Sequence, residues 1–161
     1  MRRGFTLLEM VTVIAIVAVA LGVAVPSVAR MQARRALRST AQDLMGRVEQ
    51  ARSLARSRRT GYPGWPEDMV VKESGLRFVG GRKVEVYVDG DKQNDGAHEV
   101  VVSAAWFQPR IALASPVTQL RFRRNGTLTT TEDLDFVLRD RPTEQEITVS
   151  VAYGGQSRLE P

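Results

Sequence analysis

The amino end of the chain carries its longest apolar segment. Residues 5–25 are almost entirely apolar, and the only carboxylate among them is Glu9. At a rise of 1.5 Å per residue, a helix of this length extends about 31 Å, which matches the hydrocarbon core of a bilayer. The pattern therefore predicts a membrane-spanning helix, in which a carboxylate is costly and marks a functional position.

A second apolar pattern follows the first without a break. Apolar residues recur at spacings of three and four, the period of one helical face, and they are Ala33, Leu37, Ala41, Leu44, Val48, Ala51 and Ala55. The helix is therefore predicted to continue to about residue 59, where a Gly- and Pro-rich segment ends it. Its arginines are either solvated or contact acidic neighbours or lipid phosphates.

The remainder of the chain has the alternating pattern of β-strands. Strands are predicted at residues 69–73, 76–79, 83–88, 99–103, 119–123, 134–138 and 147–151. Asn125 and Gly126 predict a tight turn after the fifth of these. The fold class is therefore α+β, with a long amino-terminal helix, half transmembrane and half amphipathic, packed on antiparallel sheets.

Charge and composition narrow the functional classes. Residues 30–59 contain nine arginines and two acids, whereas residues 60–161 contain twelve Lys or Arg and fifteen Asp or Glu. The net charge of +5 therefore comes from the helix, and a general nucleic-acid-binding surface on the domain is not indicated. The chain has no cysteine and one histidine, His98, and we find no nucleophile elbow or phosphate-binding loop. We expect no enzymatic activity.

The residues around the start of the apolar run resemble a known signal. The sequence Gly-Phe-Thr-Leu-Leu-Glu at residues 4–9 is similar to the class III signal of type IV prepilins and pseudopilins. The resemblance implies that prepilin peptidase cleaves after Gly4 and that the new amino-terminal residue, Phe5, is N-methylated. It also implies a leader at residues 1–4, a transmembrane segment at 5–29, an amphipathic continuation at 30–59 and a globular pilin-like domain at 60–161.

The same resemblance assigns roles within the helix. In this family the glutamate corresponding to Glu9 neutralises the terminal amine of a neighbouring subunit during assembly, which is reasonable because either charge alone is expensive in hydrocarbon. Pro26 lacks an amide hydrogen and favours a helix kink, and Gly22 loosens the helix before it.

Segments of the carboxyl-terminal domain are similar to the GspH/FimT subgroup. They are residues 51–56 (Ala-Arg-Ser-Leu-Ala-Arg), 120–122, 125–126, 147–151 and 154–155. The resemblance implies a minor pilin of a type IV pilus or a pseudopilin of type II secretion, and the sequence leaves these two open. The implied partners are other pilin subunits, prepilin peptidase and an inner-membrane assembly platform. Before assembly the subunit would lie in the inner membrane with its domain outside the cytoplasm.

The charge flanking the apolar run conflicts with that orientation. Two arginines precede the run, whereas Arg30, Arg34, Arg35 and Arg38 follow it. A count of positive charge alone would place the carboxyl-terminal side in the cytoplasm. We follow the prepilin signal, because its peptidase acts on the cytoplasmic side.

Two further binding sites are considered. A DNA-binding minor pilin acting in natural transformation is the alternative function, and its contacts would be Arg121, Arg123, Arg124 and Arg158. The acidic loop at residues 89–96 offers oxygen ligands for Ca²⁺, and these are Asp89, Asp91 and Asp95. The loop departs from EF-hand spacing, and a solvated hairpin loop is the simpler interpretation.

Overall fold

One long helix dominates the structure. The computed structural model describes residues 7–57, 59–91 and 98–160. Helix α1 spans Leu7–Arg56, 50 residues, and it continues through Pro26. By length and composition it is a helix able to cross a membrane, and the only such helix in the described part of the chain. The predicted single helix is thus confirmed, although it ends three residues before the predicted boundary.

The two halves of α1 have different surroundings. Every side chain described between Leu7 and Gln32 is exposed, including the large apolar ones, and Ala33 is the first buried residue. From there the predicted apolar stripe is buried at every one of its seven positions. The amino-terminal half therefore extends from the domain with its apolar side chains exposed, while the carboxyl-terminal half packs into the core.

Two antiparallel four-stranded sheets make up the rest of the domain. The first sheet has the order β3-β2-β1-β5, with β1 at Glu73–Val79, β2 at Lys83–Asp89, β3 at Glu99–Trp106 and β5 at Gln119–Arg123. The second has the order β4-β6-β7-β8, with β4 at Ile111–Leu113, β6 at Leu134–Asp140, β7 at Gln145–Val151 and β8 at Ser157–Glu160. Helix α1 contacts strands of both sheets.

The core lies where α1 meets the two sheets. Leu44 and Val48 of the helix share it with Leu76 of the first sheet and Leu138 of the second. Phe78 and Phe136, one from each sheet, pack with ring centroids 5.1 Å apart. Burying such side chains removes apolar area worth about 1.5–3 kcal/mol each from water. The packed half of the helix is therefore inseparable from the domain.

Two predicted strands need correction, and two observed strands were not predicted. Residues 69–72 lie outside any strand, and the predicted strands 69–73 and 76–79 are replaced by the single strand β1. Gly75, which broke the sequence pattern, lies inside β1 because the Tyr87 ring and the Leu120 carbonyl occupy the space that a side chain would need. Strands β4 and β8 were not predicted, since three or four residues carry too little alternation to be recognised.

Candidate functional site

The exposed half of α1 is the most distinctive functional feature. Leu7 is 83% exposed and Val19 is 71% exposed, although both are large and apolar. Isolated apolar side chains on a surface are ordinary, but a contiguous apolar rod of this size marks a membrane or protein contact. Glu9 lies exposed in the first turn of this helix. Gly4 and Phe5, the predicted cleavage and methylation positions, are outside the described residues.

Pro26 stands inside the exposed half, with Gly22 one turn before it. Pro26 has no amide hydrogen to donate to the Gly22 carbonyl, so one bond of the helical ladder is missing there. Among the described residues, no atom outside the helix lies within 4 Å of the position that a Gly22 side chain would take. The missing bond and the open surroundings therefore remove restraints on bending at this point.

The four arginines proposed for DNA contact differ in their availability. Arg121 points from β5 toward an acid of β1 and an acid of β2, with its Nη2 3.0 Å from Asp89 Oδ2 and its Nε 3.6 Å from Glu73 Oε2. Arg123 donates to the Thr129 carbonyl, and Arg158 pairs with Glu160 at 2.9 Å in an exposed position. Arg124 is exposed. The Arg121 guanidinium is thus engaged in ion pairs within the domain, and an approaching anion would contact the other three arginines.

The carboxylates proposed for calcium are also engaged. Asp89 is 2% exposed, and its two oxygens accept from Arg121 and from the Asp91 amide. Asp91 lies 2.7 Å from Nδ1 of His98. Asp95 lies outside the described residues, and among those described no group of three or more His, Cys, Asp or Glu is arranged to hold a metal ion.

A junction that the sequence patterns did not reveal lies at the carboxyl end of α1. Arg52 donates from Nε to the Gly126 carbonyl at 3.2 Å and from Nη2 to the Gly154 carbonyl at 3.0 Å. Gly126 is in the turn after β5 of the first sheet, and Gly154 is in the turn after β7 of the second. The Leu128 amide also donates to the Tyr153 carbonyl at 2.9 Å, so the turns of the two sheets are joined directly.

This junction brings together three of the segments that resembled the GspH/FimT subgroup. The helix segment 51–56, the turn at Asn125 and Gly126, and the turn at Gly154 and Gly155 are far apart in sequence and meet at Arg52. Gly155 packs so closely that a side chain there would overlap the Gly126 carbonyl. The sequence signal was present as three separate motifs, but nothing in it showed that they touch.

Comparison with known proteins agrees with these features. Residues 1–25 match the prokaryotic N-terminal methylation motif. The fold is similar to that of the type IV minor pilin FimU of Pseudomonas aeruginosa PAO1, with a TM-score of 0.59 and 21% identity over 80% of this chain and 90% of that one. The chain thus joins an N-terminal methylation motif to a fold similar to that of a type IV minor pilin.

The structure of FimU in a second crystal form is also similar in fold to this chain. The TM-score is 0.56, with 20% identity over 78% of this chain and 93% of the other. At this level of identity the likeness shows the fold alone. A comparison with curated protein sequences gives no match.

Proposed function

We propose that this pilin-like protein is a minor structural subunit of a type IV pilus, assembled through its amino-terminal helix and without enzymatic activity. The observation that supports this most is the methylation motif at residues 1–25, which overlaps a helix half whose described side chains are all exposed and mostly apolar. A membrane would cover this half before assembly, and the helices of other subunits would cover it afterwards. We place the subunit in a pilus because both similar solved structures are of a type IV minor pilin, and the deletion strain described below tests this choice against a type II secretion pseudopilus.

Processing would create an amino group with which Glu9 of a neighbouring subunit can pair. Cleavage after Gly4 by a prepilin peptidase would leave a methylated ammonium at Phe5. Burying a single carboxylate or ammonium in a low-dielectric surrounding costs roughly several kcal/mol of free energy. An ion pair between two subunits would offset most of that cost. Such a pair would also fix the axial register of a new subunit. Bending at Gly22 and Pro26 would let the exposed half adapt to its neighbours.

The mature amino terminus tests this proposal directly. Intact-mass and amino-terminal peptide measurements on the chain purified from membranes should show a start at Phe5 carrying one methyl group. A start at Met1 would exclude processing by the peptidase. A start beyond residue 29 would show that the helix is a removed signal peptide, and the proposed function would then be wrong.

Glu9→Ala tests the assembly step. The variant should remain folded and membrane-inserted, while its amount in sheared filaments falls at least ten-fold. Thr12→Ala is the matched control, because Thr12 lies on the same exposed helix and its hydroxyl donates to the Leu8 carbonyl one turn before it. Wild-type incorporation of the Glu9 variant would refute the pairing of Glu9 with a neighbouring amine.

A deletion strain distinguishes the machines and the alternative function. Loss of surface pili with normal secretion supports a minor pilin, and loss of secreted enzymes with intact pili supports a pseudopilin. The DNA-binding alternative rests on the exposed cations Arg123, Arg124 and Arg158. If it is correct, replacing all three by Gln should abolish retardation of DNA at low salt, where phosphate contacts are strongest.

Calcium binding at Asp89, Asp91 and Asp95 stays a prediction. Because the Asp89 carboxylate already bonds to Arg121, a calcium ion would have to compete with that guanidinium. A calcium titration followed by thermal unfolding tests it, and an unchanged midpoint would exclude a structural ion.

A further inference from the structure

Four arginines occupy the first turns of α1 after its apolar half. Arg30, Arg34, Arg35 and Arg38 are all exposed. In the described part of the chain none of them has a carboxylate partner, whereas Arg52, Arg77, Arg110, Arg121, Arg139 and Arg158 all do. Other described arginines also lack an ion pair, and they are Arg47, Arg56, Arg59, Arg82, Arg123, Arg124 and Arg141. What distinguishes the group of four, the helix collar, is that it lies directly after the apolar segment of α1.

The position of the collar relative to the apolar half is fixed by helix geometry. At 1.5 Å per residue, Arg30 is about 7 Å and Arg34 about 13 Å beyond Val25 along the axis. Helical side chains tilt toward the amino terminus, so these guanidinium groups reach back toward the end of the apolar half. The headgroup layer on each side of a bilayer is roughly 5–8 Å thick. Arg30 therefore lies at the depth of the lipid phosphates, and the long side chains of Arg34 and Arg35, whose backbones lie about 13–15 Å beyond Val25, extend back toward it.

The surface beside the collar is open to a headgroup. Arg30 and Arg34 share an exposed patch of the helix surface with Pro26, Ser27 and Met31. Arg34 also lines a cavity of about 520 Å³ between the helix and the second sheet, where Arg38 and Glu146 lie. Glu146 repels an anion at that end, although Arg139 binds it at 2.6 Å. An anionic group is therefore favoured at Arg30 and Arg34, on the membrane side.

We propose that Arg30, Arg34 and Arg35 bind the phosphate groups of anionic phospholipids in the outward-facing leaflet and so hold the unassembled subunit at a defined depth. This inference rests on the proposed function, since it requires the apolar half to be embedded in a membrane. It accounts for the excess positive charge on the non-cytoplasmic side of the helix, which a positive-inside count does not explain. Guanidinium is suited to this role because its planar donors bind phosphate oxygens in pairs.

The test uses the full chain in detergent with an equal mixture of phosphatidylglycerol and phosphatidylcholine. Both lipids carry a phosphodiester, but only phosphatidylglycerol is anionic. An arginine near an anionic surface contributes a factor of about five to lipid partitioning. Wild-type protein should therefore retain several-fold more phosphatidylglycerol than phosphatidylcholine, measured by mass spectrometry of the co-purified lipid. The triple variant Arg30→Gln/Arg34→Gln/Arg35→Gln should lose this preference.

The control removes the same charge elsewhere. Arg123→Gln/Arg124→Gln/Arg158→Gln changes three exposed arginines of the sheets and should retain the wild-type preference. An unchanged preference in the collar variant, or an equal loss in both variants, would overturn the inference. A collar variant that binds lipid normally but fails to enter filaments would show that the collar faces an acidic protein partner instead. Wild-type protein that alkaline carbonate extracts from membranes would contradict the proposed function itself.

Discussion

The Arg52 junction makes a quantitative prediction for Gly155→Ala. Gly155 has a φ of 82°, in the left-handed region where any side chain is strained. An added Cβ would overlap the Gly126 carbonyl and lie 2.9 Å from Arg52 Nε. The Arg52 guanidinium must therefore move, and it cannot then keep both of its carbonyl acceptors.

The loss has two parts. Placing alanine in the left-handed region costs about 1–2 kcal/mol. A hydrogen bond from a charged donor contributes about 1.5–3 kcal/mol, and Arg52 makes two of these to backbone carbonyls. Its side chain is 18% exposed, so water replaces part of what is lost. Gly155→Ala should lower the free energy of unfolding by about 3–5 kcal/mol in total.

Gly64→Ala is the matched control. Gly64 has a φ of 83°, yet no atom lies within 4 Å of where its Cβ would be. It should lose only the conformational part, about 1–2 kcal/mol. Urea unfolding of the full chain in detergent, followed by tryptophan fluorescence, measures both variants. Equal losses would show that the junction does not stabilise the domain.

Two further predictions concern buried carboxylates. Arg121→Ala should lower the free energy of unfolding in urea by about 2–4 kcal/mol, because it leaves the buried Asp89 carboxylate without its guanidinium partner. The control Arg124→Ala should change it by no more than about 0.5 kcal/mol, because Arg124 is exposed. Similar losses in the two variants would contradict the ion-pair assignment. The hydrogen bonds from Arg110 lower the pKa of Asp140, so this carboxylate stabilises the fold above its unfolded pKa of about 4, and the stabilisation is lost as the pH falls through the lower folded value. The unfolding free energy should therefore drop below about pH 4, with a shallower slope in Asp140→Asn, and identical slopes would exclude this origin.

The helix could be predicted well because its signals are local. The stripe from Ala33 to Ala55 repeats with the helical period, and each position proved to be buried. The tight turn at Asn125 and Gly126 is likewise local, and it is confirmed by the Arg123 amide bonding to the Thr127 carbonyl at 2.8 Å. Short-range rules sufficed here because no distant part of the chain opposes them.

The ion pairs could not be predicted for the opposite reason. Arg121 is 32 residues from Asp89, and only the antiparallel order β2-β1-β5 brings the two together. From sequence alone the arginine was indistinguishable from Arg123 and Arg124, and all three were assigned to one candidate DNA surface. The sheet topology determines which arginine forms an ion pair within the domain and which is exposed to a partner.

The continuity of α1 connects these observations. The helix runs unbroken from Leu7 to Arg56. The direction of its exposed half is therefore set by its carboxyl-terminal half, which Arg52 and the core hold against both sheets. A tilt of the exposed half must therefore either move the whole domain or be absorbed near Gly22 and Pro26, where a ladder bond is missing. The collar begins at Arg30, just past that point and before the first buried residue, Ala33. A force on the exposed half therefore reaches the domain through the collar, whose arginines form no ion pair with the described part of the domain. Replacing these arginines should change the position of the domain relative to the membrane without changing its fold.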